Sequence, residues 1–89
     1  MMKAILTVVG QDKVGIVASV SQFLAQEQIN ILDISQTILD KYFTMMMAVY
    51  IPEKCDLKEL ETKLSVLGQE LKVEINLRNE AVYNAMHQL

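Results

Sequence analysis

The stretch AILTVVGQDKVGIVASV, residues 4–20, decides the fold, because its periodicity changes at a single turn. Lys3 to Val9 is rich in Ile, Leu and Val, which is typical of a β-strand. Gly10 marks the turn. From Val14 to Gln28 apolar residues recur at three- and four-residue spacing, which predicts an amphipathic helix with Asp12 as its expected N-cap.

The next two segments return to strand chemistry. Ile29 to Leu39 carries Leu32, Ile34 and Ile38 on one face and polar residues on the other, so we expect one wet face and an edge position. After a turn at Asp40-Lys41, Tyr42 to Ile51 is apolar on both faces, as a central strand is.

The last third of the chain predicts a helix, a strand and a short terminal helix. Asp56 and Glu59 form a capping-box pattern ahead of four leucines, Leu57, Leu60, Leu64 and Leu67. Gly68 is expected to end this helix as its C-cap, and Leu71 to Leu77 then alternates as a strand. Residues 80–89 place Val82, Met86 and Leu89 at helical spacing.

The order βαββαβ predicts an α+β fold, a ferredoxin-like sandwich with two helices on one face of an antiparallel sheet. Strands with a polar face belong at the edges, which gives the order 4-1-3-2. We expect one domain over residues 1–89, with its core in 3–78 and a C-terminal helix over 80–89.

Composition excludes several classes of partner. The 89 residues are 52% apolar with a formal net charge of -3, and the eight basic residues form no stripe for phosphates, so nucleic acid is not expected. No apolar run is long enough to cross a membrane. The single Cys55 can form no internal disulfide and no secretory signal is visible, which predicts a cytoplasmic protein.

Catalytic and metal chemistry are not expected either. His87 is the sole histidine, and Cys55 has no partner for a Cys-His pair. Consecutive residues on a strand point to opposite faces, so Met45, Met46 and Met47 cannot hold one metal ion and are expected to pack in the core. We therefore predict no cofactor and no enzyme.

Two features suit a ligand site. The start of the first helix offers free N–H groups for an anion, and Gly15 in the first turn allows a close approach to the backbone. A capped turn is the alternative explanation of this loop, and a close-packed neighbouring strand would also explain Gly15. Asn30 begins the second strand, at a border where another subunit can add its own edge.

The stretch Thr7 to Ala18, followed by Ile29-Asn30-Ile31, resembles the ACT domain family. It is similar to stand-alone single-ACT proteins of prokaryotes and to the ACT units of formyltetrahydrofolate deformylase and the glycine-cleavage repressor. The resemblance implies a regulatory domain that commonly binds amino acids. Its serine-binding members hold the ligand between two domains, at positions that correspond to Gly10, Asp12 and Asn30. Those members carry histidine and an amide at the first two positions, so the resemblance does not identify the ligand here as serine.

The expected function is a ligand-sensing regulatory domain that modulates a separate enzyme or regulator. Its rivals are a ligand-free assembly module that docks through its sheet edge and, more remotely, a hydrolase of acylphosphatase type. We expect a homo-oligomer, most simply a dimer, because Ile5, Val9, Met46 and Tyr50 would otherwise expose an apolar sheet face. The candidate ligand-binding residues are Gly10, Gln11, Asp12, Val14, Gly15, Ile16 and Asn30.

Overall fold

The computed structural model describes residues 2–11 and 13–81, apart from the side chain of Lys13. The elements follow in the predicted order, and their bounds are β1 (Met2–Gly10), α1 (Lys13–Gln26), β2 (Asn30–Leu39), β3 (Tyr42–Ile51), α2 (Leu57–Leu71) and β4 (Glu74–Asn79). The predicted cap Asp12 lies outside the described residues. So do residues 82–89, which hold most of the predicted C-terminal helix and His87.

The four strands form one antiparallel sheet in the order β2-β3-β1-β4, which confirms the predicted 4-1-3-2. β1 and β3 occupy the centre because both of their faces are largely apolar. Alternate residues of β1, such as Leu6, are fully buried with residues of both helices, on what we call the helix face. Ile5 and its neighbours point to the opposite, helix-free face.

The core lies between the helix face and the two helices. Met45 and Met47 are fully buried there, whereas Met46 is half-buried on the helix-free face, so the three methionines alternate as predicted. Phe43 is the largest fully buried side chain. Burial of a side chain of this size contributes about 1.5–3 kcal/mol to folding, so these residues are a major source of the stability of the domain.

Helix α2 begins as predicted but ends later. The Asp56 side chain accepts hydrogen bonds from the backbone N–H groups of Lys58 and Glu59, which confirms it as the N-cap. Gly68 was expected to end the helix, and this is wrong, because α2 continues to Leu71 and the left-handed residue is Lys72 at φ 58°.

The reason for Gly68 is close packing rather than backbone conformation. The N–H of Val73 donates to the Gly68 carbonyl at 2.9 Å, which folds the connection back over the last helical turn. A Cβ at Gly68 would lie 3.0 Å from the Val73 carbonyl oxygen. The connection therefore includes Val73, and β4 begins at Glu74 rather than at Leu71.

Strand β2 differs from expectation in its apolar face. Ile34 and Ile38 pair with the buried Met47 and Phe43, so they share the helix face, while Leu32 falls in a bulge between Ile31 and Asp33. Ile34 remains 41% exposed and Ile38 59%. The helices cover the central strands and leave this edge open, so both faces of β2 are wet.

Candidate functional site

Gly10 ends β1 beneath the start of α1. A Cβ built there would clash with Cγ1 of Val73 and would lie 2.8 Å from Cδ1 of Ile16. No glycine in the described part of the chain has a positive φ. Gly10 is therefore explained by tight packing between the first loop and the α2–β4 connection, and it offers a ligand only its main chain.

The start of α1 presents the other loop residues in different ways. Gln11 is exposed and Val14 is 80% exposed, whereas Gly15 is half-buried. Ile16 is 1% exposed and packs in the core, so it presents no exposed group to a ligand. The first N–H groups of a helix have no partner within it, and the described part of the first turn of α1 contains no acidic residue. These donors favour a carboxylate or another anion.

Asn30 lies at the opposite end of the sheet from this loop. It pairs with Tyr50, which pairs in turn with Lys3, so its side chain belongs to the helix-free face. Gly10 is seven residues further along β1, or about 23 Å at about 3.3 Å per residue. The structure thus places the described candidates of the first loop and of the start of α1 at one end of the sheet and separates Asn30 from them within one chain.

A spacious groove lies elsewhere, between α2 and β4, and none of the predicted ligand residues lines it. Its volume is about 590 Å³, its floor includes Leu64, Gly68 and Ile75, and its rim carries Glu61 and Arg78. The sequence analysis missed this groove because its lining residues alternate with core residues in α2 and β4. Such a pattern is the same as that of any amphipathic helix or strand. Gly68, buried in the last turn of α2, was the one available signal, and it was assigned to a cap.

A smaller groove of about 290 Å³ includes Cys55 beside the start of α2. Burial raises the pKa of the Cys55 thiol, and the negative charge of Glu27 acts in the same direction. A raised pKa keeps the thiol protonated at neutral pH, which is the opposite of what a cysteine nucleophile needs. On the rim, Lys63 forms ion pairs with Glu27 at 3.2 Å and with Glu59 at 3.5 Å.

Within residues 2–11 and 13–81, no three His, Cys, Asp or Glu side chains come together in a way that could hold a metal ion. No helix in the same ranges is long and apolar enough to cross a membrane.

Comparison with known proteins agrees with this architecture. The sequence model of the ACT domain family matches residues 3–78. A UPF0237 protein of Listeria innocua is 52% identical over 89 residues, 99% of this chain and 100% of its own. The structure of an ACT domain protein from Streptococcus pneumoniae superposes with a TM-score of 0.83 at 52% identity, over 92% of this chain and 93% of that one.

A second solved structure, described as a glycine cleavage system transcriptional repressor, superposes with a TM-score of 0.79 at 27% identity. The match covers 86% of this chain and 45% of that one. ACT domains are generally ligand-sensing regulatory domains. The sheet order, the strand–loop–helix opening and the match over residues 3–78 together show that this chain belongs to the ACT domain family.

Proposed function

We propose that this chain is a small-molecule-sensing regulatory domain that binds an amino acid or a related metabolite between two copies of itself. The observation that carries the proposal is the position of the candidate residues: Gly10 to Ile16 lie at one end of the sheet and Asn30 at the other. A site that uses both must therefore draw them from two chains. The open edge of β2 leaves room for the second copy.

The ligand chemistry follows from the donors that the loop supplies. The free N–H groups at the start of α1 suit a carboxylate, and their effect is strongest within the first turn. The packing of Gly10 against Val73 and Ile16 leaves no space for a side chain there, so recognition relies on the main chain. Asn30 of the second copy, or Asp12, engages the ammonium group, which together suits a zwitterion.

Regulation then follows from linkage. A ligand held between two protomers stabilises one arrangement of them by RT ln(1 + [L]/Kd), about 2.7 kcal/mol at 100 times Kd. A partner enzyme or regulator that prefers this arrangement responds to the ligand concentration without touching the ligand. The chain itself catalyses nothing in this proposal, acts as a single domain and works in the cytoplasm, which the single Cys55 favours.

The experiment is a thermal-shift screen of the proteinogenic amino acids and folate-pathway metabolites, followed by calorimetry on each hit. A specific ligand raises the melting temperature with increasing concentration and binds at one or two molecules per dimer. Binding by a monomer, with one ligand per chain and no change in mass, would contradict a site shared between copies.

A ligand-free assembly module is the second candidate, and the exposure of Ile34 and Ile38 on β2 favours it. In that case the edge of the sheet docks a partner and no metabolite is involved. Native mass spectrometry of protein purified without denaturation separates the two. Retained small molecules support the sensor, whereas an empty dimer that also fails the thermal-shift screen supports the assembly module.

A further inference from the structure

The centre of the helix-free face carries a largely apolar stripe. It consists of the outward side chains of β1 and β3, which lie beside each other in the sheet, and we call it the central stripe: Ile5, Thr7, Val9, Met46, Ala48 and Tyr50. Both α1 and α2 pack on the opposite face, so neither of them covers it. Val9 is 39% exposed and Tyr50 37%. A contiguous apolar surface of this kind normally marks a place where another element packs.

Polar side chains border the central stripe on both sides. Ser35 and Thr37 of β2 lie along one border, and Glu74, Asn76 and Arg78 of β4 lie along the other. The stripe is therefore two strands wide, about 10 Å at about 4.8 Å per strand. An α-helix with its side chains is about 10–12 Å across. A single helix fits the stripe, whereas a second sheet would also bury the charged border on β4.

The sequence that follows β4 has the composition of a helix that packs on such a stripe. Within residues 80–89 only the first residue carries a full charge, and there is no Lys or Arg. At about 100° per residue, Val82, Met86 and Leu89 share one face of a helix, and Asn84 lies on the opposite face. This segment therefore offers one apolar face and one uncharged polar face.

An ion pair directs the chain onto the helix-free face at the point where β4 ends. Glu80 and Ala81 have helical conformation, and the Glu80 carboxylate lies 3.0 Å from Nζ of Lys3. Lys3 precedes the buried Ala4 in β1, so its side chain belongs to the helix-free face. Lys3 also pairs with Tyr50, at one end of the central stripe. A helix that starts at Glu80 thus begins beside the end of the stripe.

We propose that residues 80–89 form a third helix that packs its apolar face along the central stripe of its own chain. Ten residues extend about 15 Å as a helix, and the stripe spans about 13 Å from Ile5 to Val9 along β1. The ion pair between Lys3 and Glu80 lies within one chain, so the same chain supplies the helix. The sheet is then covered on both faces.

The groove between α2 and β4 is a poorer place for this segment, although it also borders β4. Four charged side chains line it: Glu61, Lys72, Glu74 and Arg78. An apolar helix face docked there would remove these charges from water without pairing them, which is costly. The contact of Glu80 with Lys3 also draws the chain toward β1, on the other side of β4 from the open groove.

This inference goes beyond the proposed function. A third helix covers the apolar surface within one chain, so the central stripe needs no second copy, and association is left to other surfaces. Neither ligand sensing nor association through β2 depends on it.

Cross-linking within the chain tests where the segment lies. In a Cys55→Ser background, Thr7→Cys with Met86→Cys places one thiol in the middle of the central stripe and one on the apolar helix face. A short bis-maleimide is expected to bridge the two thiols within a single chain, because tethered groups that lie together react at a high effective concentration. Mass spectrometry of the monomeric band measures the bridged product.

The matched control moves one thiol to the α2/β4 groove. Ser65→Cys with Met86→Cys carries the same number of thiols, and Ser65 is an exposed residue of that groove. It is expected to be bridged roughly tenfold more slowly. Equal rates for the two pairs would overturn the proposal, because the segment would then prefer neither face. Bridges that join two chains through Thr7→Cys would also overturn it, since they would place a second copy on the stripe.

A charge on the apolar helix face gives an independent readout. Met86→Lys should release the segment from the sheet, so the melting temperature should fall and the fluorescence of ANS, a dye that binds exposed apolar surface, should rise several-fold. Asn84→Lys adds the same charge on the opposite helix face and should change neither quantity. Identical behaviour of the two variants would overturn the proposal.

Discussion

The two lateral sides of the domain, α2 with β4 and α1 with β2, expose different kinds of side chain to solvent. The α2/β4 side exposes charged side chains, and some of them form ion pairs, such as Lys63 with Glu27. The α1/β2 side exposes Ile34, Ile38 and Val14 instead. The core of one chain is therefore complete, but the edge formed by β2 leaves apolar side chains uncovered. We expect association with another chain at this edge.

The two sides meet at Gly10. Its missing side chain lets Val73 from the α2–β4 connection and Ile16 from α1 pack against the end of β1. The loop proposed to bind the ligand therefore rests directly on the opposite side of the domain.

The largest effect is expected from a charge at the exposed β2 edge. Ile38→Lys would place an ammonium on the open edge of β2, where we propose that the second copy packs, and burial of such an unpaired group in each copy should cost about 3 kcal/mol or more, at least 100-fold in the dimer dissociation constant. Light scattering should report a folded monomer. Val66→Lys on α2, where Val66 is 48% exposed, is the matched control and should leave the mass unchanged. If both variants have the same mass in solution, the two sides do not differ in their role in association.

A methyl group at the point where the two sides meet should destabilise the fold. Gly10→Ala forces Val73 or Ile16 to move, and overpacking of this kind costs about 1–3 kcal/mol in the free energy of unfolding. Urea denaturation measures the loss. Adding Val73→Ala should recover part of it, because the second substitution removes the nearest atom. An unchanged midpoint for Gly10→Ala alone would show that the loop is free to rearrange.

Substitutions in the proposed ligand site should have an effect of similar size, but on the free energy of ligand binding rather than on the free energy of unfolding. Asn30→Ala should weaken binding by about 1–3 kcal/mol, the cost of leaving a polar partner unsatisfied, and Gly15→Val should block the close approach to the helix start. Calorimetry with the metabolite found in the screen measures both. Gln69→Ala in the α2/β4 groove is the control and should bind normally. If both folded site variants bind like the unmodified chain, the site assignment fails.

The smallest effect is expected on the charged side. The hydrogen bond to Glu27 raises the pKa of Lys63 above its ordinary 10.5. The stabilisation it reflects is therefore present at neutral pH and is lost as pH rises through the raised pKa. Because Lys63 is solvated, Lys63→Ala should barely change the melting temperature at neutral pH. Above pH 10.5 the unmodified chain should lose a small amount of stability, and the variant should not. A drop of many degrees would mean that this pair holds the fold together.

Local sequence determined the elements and their order in the sheet. The apolar character of both faces of β1 and β3 placed them in the centre, and the oxygen of Asp56, three residues before Glu59, was enough to start α2. These features depend on neighbours within a few residues along the chain or on a two-residue period, so the pattern contains them.

Tertiary packing alone decided three other features. Gly68 stays inside α2 because Val73 folds back onto it, Gly10 lacks a side chain because Val73 and Ile16 fill the space, and Ile34 stays exposed because the helices do not reach the edge. Each of these depends on contacts between segments distant in the chain, and neither propensity nor periodicity records such contacts.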